Sequence, residues 1–210
     1  MNERTKPAGP TQPTVYIVDD DASVRDSTAM FLELNGLRTQ VFASAEDFLV
    51  VAAQELVGCL LLDQRMQGLS GLDLQQELTR RRIGLPVIIM TAHGDVASTR
   101  QALKAGALDF LEKPVEHDVL LDVVTAALAE ADGRLRRERE QKDRQARVNR
   151  LTDREREVML LLAQGLHNRD IAEKLDISPR TVEVYKARMM EKLQTRSLAD
   201  VIRLVLAEKP

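Results

Sequence analysis

The sequence predicts two domains of different class: an α/β domain built on a doubly wound, five-stranded parallel sheet, then a small all-α domain of four helices. Three observations carry that prediction. Short apolar runs alternate with helical patterns five times between residues 14 and 132. From residue 151 only helical patterns follow, separated by tight turn signals. Between these regions the charge changes sign: residues 1–132 carry 11 Lys/Arg against 20 Asp/Glu, 133–150 carry 8 against 3, and 151–210 carry 11 against 10. An acidic first part joined to a basic stretch points to different partners for the two halves.

The 210 residues are enough to bury two cores. No apolar run reaches the roughly 18 residues of a bilayer span, and no signal-peptide pattern opens the chain, so a cytoplasmic protein is expected. Cys59 is the single cysteine. It lies in an apolar run, which excludes a disulfide framework and fits a buried thiol in a reducing compartment.

The first 13 residues hold three prolines and no periodicity, the pattern of a flexible tail. Strands are expected at 15–18, 38–42, 59–62, 87–90 and 109–111. Ser44, Ser70 and Asp95 stand as helix starts before "AEDFL", "GLDLQQELTRRR" and "VASTRQALKAG", with Gly106 as a stop. Parallel strands joined by helices are covered on both faces, and the order 2-1-3-4-5 is the natural arrangement for five of them. Ligands of such sheets sit beyond the carboxyl ends of the strands, at the switch point between strands 1 and 3.

That geometry gathers reactive groups. Asp19 and Asp20 end strand 1 in "VYIVDDD", Asp63 ends strand 3, Thr91 ends strand 4 and Lys113 ends strand 5. One strand-end Asp is usually a turn residue, but this set arrives on four strand ends of one sheet. Adjacent carboxylates repel, and a hard cation such as Mg²⁺ (or Mn²⁺) offsets that repulsion. Asp63 is then the nucleophile candidate, its carboxylate attacking phosphorus to give an aspartyl phosphate. Thr91 would bond one phosphoryl oxygen and Lys113 would pair with another. Asp21 is the least secure member of the cradle.

These residues make 14–132 resemble the receiver domain of two-component response regulators, through "VDDD", "LLLDQRM", "TAHGDV" and "DFLEKP". The resemblance implies a flavodoxin-like fold, Asp63 as phosphoacceptor, Asp20 and Asp63 as metal ligands with Asp19 acting through water, and the Arg65 carbonyl as a further ligand. It implies Thr91 and Phe110 as a switch pair, Lys113 as phosphoryl sensor, and a cis Lys113–Pro114 bond. One departure stands out: the family usually has Met-Pro after the phosphoacceptor strand, and here it is Met66-Gln67. Loss of that proline is expected to loosen the loop and affect phosphoryl lifetime rather than competence.

From Val119 a helical seam runs through Leu121, Val124, Leu128, Ala131 and Leu135. Charges then dominate 133–150, read as a solvated helical linker in which Gly133 weakens the helix without stopping it. "LTDREREVMLLLAQG" opens the second domain with a capping box, Thr152 and Glu155, and ends on Gly165. "NRDIAEKL" and "SPRTVEVYKARMMEKL" are two short helices around a tight turn, with Pro179 in a first helical turn, and "SLADVIRLVLAE" is a fourth. Two helices so joined form a helix-turn-helix, whose second helix fits a major groove. Val182, Met189 and Leu193 share its core face, while Arg180, Glu183, Val184, Ala187 and Arg188 lie opposite and Lys186 flanks them. By spacing alone a protein-docking module stays open.

Residues 151–206 resemble LuxR-type DNA-binding domains through the same stretches and "RSLADVIRL". The whole chain is similar to response regulators of the FixJ/NarL type, nearer FixJ by "TAHGDV" and "DISPRTVEV". DNA contact is then expected from Arg169, Arg180, Thr181, Glu183, Val184, Lys186, Ala187 and Arg188. The family usually has His at the position of Tyr185 and Lys at that of Arg169. The implied partners are a sensor histidine kinase, promoter DNA and a second copy of the phosphorylated chain, with RNA polymerase a further candidate. Haloacid-dehalogenase-type phosphatases also form aspartyl phosphates, but they place an acid two residues after the nucleophile, where this chain has Arg65. No classical enzyme is expected. A receiver used only for docking is the other rival, and the complete acid, Thr and Lys set argues against it.

Overall fold

The structure, a computed structural model, describes residues 13–52, 56–92, 100, 103–195 and 197–207. The chain divides into two compact units, 1–135 and 136–210.

In the first unit, strands β1 (Thr14–Val18), β2 (Arg38–Phe42), β3 (Gly58–Asp63), β4 (Val87–Thr91) and β5 (Asp109–Glu112) form one parallel sheet of order β2-β1-β3-β4-β5. Helices α1 (Ala22–Leu34), α2 (Ala45–Val51), α3 (Gly71–Arg80) and α4 (His117–Asn149) accompany it. The central strands β1, β3 and β4 are buried throughout, as strands covered on both faces must be. Alternation along them feeds two cores. Tyr16, Val18, Leu60, Leu62 and Ile89 pack with Phe48 of α2 and Leu74 and Leu78 of α3. Val15, Ile17, Cys59, Leu61, Ile88 and Met90 pack with Leu32 of α1 and Leu120, Val124 and Ala127 of α4.

Local chemistry sets the boundaries. Ser44 caps α2 by accepting from the Asp47 N–H, and Ser70 and Asp73 form a reciprocal capping box on α3. Gly58 opens β3 at φ +141°, where a Cβ would lie 1.8 Å from the Thr14 carbonyl oxygen. The position therefore admits only glycine. The helix expected after Asp95 falls mainly outside the described residues, and so does most of the expected N-terminal tail.

The seam expected in α4 is rotated by one residue. Leu120, Val124 and Ala127 are buried, while Leu121, Leu128, Ala131 and Leu135 are half-buried. A broad sheet surface takes up a wider stripe than a partner helix does, so the face centres between the expected positions. The helix continues through Gly133 to Asn149.

The second unit holds the end of α4 with α5 (Asp153–Ala163), α6 (Asn168–Leu175), α7 (Pro179–Leu193) and α8 (Leu198–Ala207). Its core joins Val148, Leu151, Val158, Met159, Leu162, Ile171, Val182, Met189, Leu193 and Val201. Among the described residues no helix is long and apolar enough to cross a membrane.

Candidate functional site

The carboxyl ends of β1, β3, β4 and β5 meet at one edge of the sheet. Val18 pairs with Leu62 and Asp63 with Met90, so the register sets Asp19 beside Asp63. Asp19, Asp63 and Thr91 are all buried. Lys113 follows β5, and its Nζ donates to Asp19 Oδ2 at 2.7 Å and to Asp63 Oδ1 at 2.5 Å. The remaining oxygens take backbone donors: Asp19 Oδ1 accepts from the Asp21 N–H at 3.0 Å and Asp63 Oδ2 from the Arg65 N–H at 2.8 Å. The Lys113–Pro114 bond is cis.

Burial pushes the Asp63 carboxyl above the ordinary aspartate value, with Lys113 opposing and Asp19 adding to the shift. For Lys113, burial pulls down, but its hydrogen bonds and charge pairing with Asp19 and Asp63 outweigh it, and the ammonium is held above the ordinary lysine value. Asp20 is exposed, and its Oδ2 accepts from the Gln67 N–H at 3.2 Å. Phe110 is half-buried against the α2/α3 core.

Asp21 is not brought into this group. Its Oδ1 accepts from the N–H groups of Ser23 and Val24 at 2.8 and 3.3 Å, which makes it the N-cap of α1. Two contributors escaped sequence reasoning. Arg25 Nη1 donates to the Asp19 carbonyl at 2.7 Å, bracing the turn that presents the acids, and its place one turn into the helix behind "DDD" was the available signal. The Gln67 N–H left only an indirect signal: a residue other than proline keeps the main-chain donor, but its identity does not say where that donor points.

The donor set suits a hard divalent cation. Asp19, Asp20 and Asp63 are three carboxylates against the single ammonium of Lys113, and every donor is oxygen. Among the described residues no three acidic, His or Cys side chains enclose an ion by themselves. Water and a main-chain carbonyl would complete the shell, as a small, reluctantly dehydrated cation requires.

In the second unit α6 ends on Asp176 in the left-handed region, φ +54°, and Ser178 caps α7 by accepting from the Thr181 N–H, with Pro179 first in the helix. Those three residues, 176–178, make a tight turn between two short helices. Val182, Met189 and Leu193 point into the core. Arg180, Glu183, Val184, Ala187 and Arg188 are exposed, as is Arg169 on α6, and Lys186 is half-buried. Thr181 is half-buried too, its hydroxyl 2.8 Å from Ser178 Oγ.

A parallel sheet with acids and a lysine at its switch point, followed by a helix-turn-helix, defines the class: a receiver domain joined to a DNA-binding domain. The model for the "Response regulator receiver domain" matches residues 15–125, and that for "Bacterial regulatory proteins, luxR family" matches 149–205. The chain therefore belongs to the two-component response regulators with a LuxR-type DNA-binding domain. It is 41% identical to the transcriptional regulatory protein FixJ of Bradyrhizobium diazoefficiens over 93% of this chain and 96% of that protein. FixJ of Rhizobium meliloti is 42% identical over 94% and 97%. Among solved structures, the response regulator StyR is similar at a TM-score of 0.86 and 41% identity, covering 94% of this chain and 100% of that one. Full-length FixJ from B. japonicum is similar at 0.58 and 41%, covering 93% and 97%.

Proposed function

We propose that this chain is a cytoplasmic transcription regulator whose DNA binding is governed by phosphorylation of Asp63 from a partner histidine kinase. The proposed limits are a receiver at 14–132, a linker at 133–150 and a DNA-binding domain at 151–210. The observation that carries the reading is the Lys113 ammonium held between Asp19 and Asp63 at the switch point of the sheet.

Asp63 attacks the phosphorus of the donor. A phosphorus–oxygen bond forms as the phosphorus–nitrogen bond of the kinase phosphohistidine breaks, and the electron pair leaves with the imidazole. Asp20, Asp63 and the Arg65 carbonyl, with Asp19 through water, would hold Mg²⁺, which when bound would supply positive charge against the phosphoryl oxygens. Lys113 exchanges its contact with Asp63 for one with a phosphoryl oxygen, and the Thr91 hydroxyl donates to another. Phe110 turns into the space Thr91 leaves. The exposed face of α7 enters the major groove, with Arg169, Arg180, Thr181, Lys186 and Arg188 reaching phosphates and bases and Glu183, Val184 and Ala187 lining the groove. Phosphorylation promotes dimerisation, and RNA polymerase is a further partner at the promoter.

The test is incubation of full-length protein with Mg²⁺ and acetyl phosphate, followed by intact-mass measurement. Wild type gains one phosphoryl group and Asp63→Asn gains none. Undiminished labelling of Asp63→Asn removes Asp63 from the role.

A further inference from the structure

The loop after β3 is fastened to the acid cradle by its main chain. The Gln67 N–H donates to Asp20 Oδ2 across 47 residues of sequence, at 3.2 Å. Two residues on, the Leu69 N–H donates to Glu46 Oε1 at 3.0 Å, and the Gly71 N–H closes the loop on the Gln64 carbonyl at 3.1 Å. Gly68 between them sits at φ +79°, and a Cβ there would lie 2.6 Å from Glu46 Oε1. The left-handed glycine thus separates two donors, one aimed at Asp20 and the other at Glu46. Three main-chain donors in this loop, Gln67, Leu69 and Gly71, thus have partners.

Asp20 is exposed, and among the described residues this is the one hydrogen bond to its carboxylate. Its other oxygen is left for a cation. A neutral N–H donor leaves the carboxylate its full charge, whereas an ammonium in the same place would cancel it. Proline at position 67 would have no N–H to give.

We propose that the Gln67 main-chain N–H is a positioning donor for Asp20, which orients this carboxylate for Mg²⁺ and couples metal occupancy to the loop that follows the phosphoacceptor. The inference rests on the reading of the acid cluster as a cation site. Hydrogen bonds to metal ligands restrict ligand rotation and raise affinity. Here the donor belongs to the backbone, so the identity of side chain 67 is immaterial as long as the residue is not proline.

The experiment titrates Mg²⁺ alone into full-length wild type, Gln67→Ala and Gln67→Pro by calorimetry, and follows exchange of the residue-67 amide by NMR without metal. Gln67→Ala keeps the N–H and is expected to match wild type. Gln67→Pro is expected to bind about three- to tenfold more weakly, at or below the low end of the effects seen for outer-shell partners, because this bond is long and exposed. The Gln67 amide is protected in wild type and exchanges freely in Asp20→Ala, a readout that the proline ring does not confound. Equal or tighter Mg²⁺ binding by Gln67→Pro overturns the proposal, and so does weakening of Gln67→Ala to the same degree. Absence of Mg²⁺ binding in wild type overturns the cation site itself. The amide measurement still decides the hydrogen bond in that event: an unprotected Gln67 amide removes it, and protection dependent on Asp20 keeps it.

Discussion

Cys59 and Glu155 are both buried, and their ionisation is driven in opposite directions. Burial alone acts on Cys59 and pushes its thiol up to about 12, so the residue behaves as a small apolar side chain. Burial also acts against the Glu155 carboxylate. Hydrogen bonds from Lys192 Nζ at 2.6 Å and from the Thr152 N–H at 2.8 Å outweigh it, and the Glu155 pKa lies below the ordinary glutamate value. A carboxyl with a depressed folded pKa contributes stability that is present above its unfolded pKa, about 4.3, and drains away as pH falls through the lower folded value. Hydrogen exchange of α5 and α7 in the full chain should therefore quicken as pH drops below that point, beyond the intrinsic pH dependence of exchange. Lys192→Met should cost about 1–3 kcal/mol of local stability at neutral pH and flatten the acid dependence. An unchanged acid profile in Lys192→Met would remove the pair from the account. The Thr152–Glu155 half of this network was legible as a capping box, because its partners are three residues apart. Lys192 was not, since a contact 37 residues away exists only once α5 and α7 pack. The strand-end cluster divides in the same way. Asp19, Asp63, Thr91 and Lys113 were readable because each ends an apolar strand, whereas the Gln67 and Arg25 contacts depend on how loop and helix fold back. Asp21, the least secure member of the expected cradle, is a helix cap instead, and a third consecutive acid after a strand is open to either role.

At the scale of elements, periodicity worked where the packing partner was narrow. In α7 the buried Val182, Met189 and Leu193 follow the expected face, since this helix packs against other helices of a small core. In α4 the sheet is the partner, and the buried stripe shifts to Leu120, Val124 and Ala127. Strand cores were legible to within a residue or two, their ends being marked by Asp63 and Thr91 themselves. The clean division of α7 into a buried and an exposed face makes its function testable. Arg188 lies on the outward face, and Arg188→Ala should cost about 1–3 kcal/mol of DNA affinity while relaxing preference at one base position. Binding assays of both proteins on target and scrambled duplexes over a range of salt give the answer. A loss of equal size on both duplexes, with a shallower salt slope, would make Arg188 a phosphate contact instead.

For the whole molecule, the continuous helix α4 crosses the boundary between the two units near Leu135. Asp63 belongs to the first unit and α7 to the second, so any control of α7 by phosphorylation of Asp63 has to act at a distance. Aspartyl phosphate adds charge and acceptor oxygens at the end of β3. Thr91 on β4 and Phe110 on β5 lie on the side of the sheet that ends in the edge strand β5, so a rearrangement of this proposed switch pair would alter an outer surface. We expect that surface, β5 together with the segment from about 95 to 105, to dimerise. That segment lies mainly outside the described residues. A two-fold pair of α7 helices would match half-sites about one DNA turn apart, ~34–36 Å. The coupling is a shift between two states, so unphosphorylated protein should sample the dimer weakly rather than not at all. Sedimentation of wild type and Asp63→Asn, each with and without acetyl phosphate, separates the alternatives. Wild type should move to a dimer only with the phosphodonor, and Asp63→Asn should remain monomeric in both conditions. If phosphorylated wild type stays monomeric at micromolar concentration while its DNA affinity rises, dimerisation is not the switch. Release of an inhibitory contact between the domains would then carry the signal.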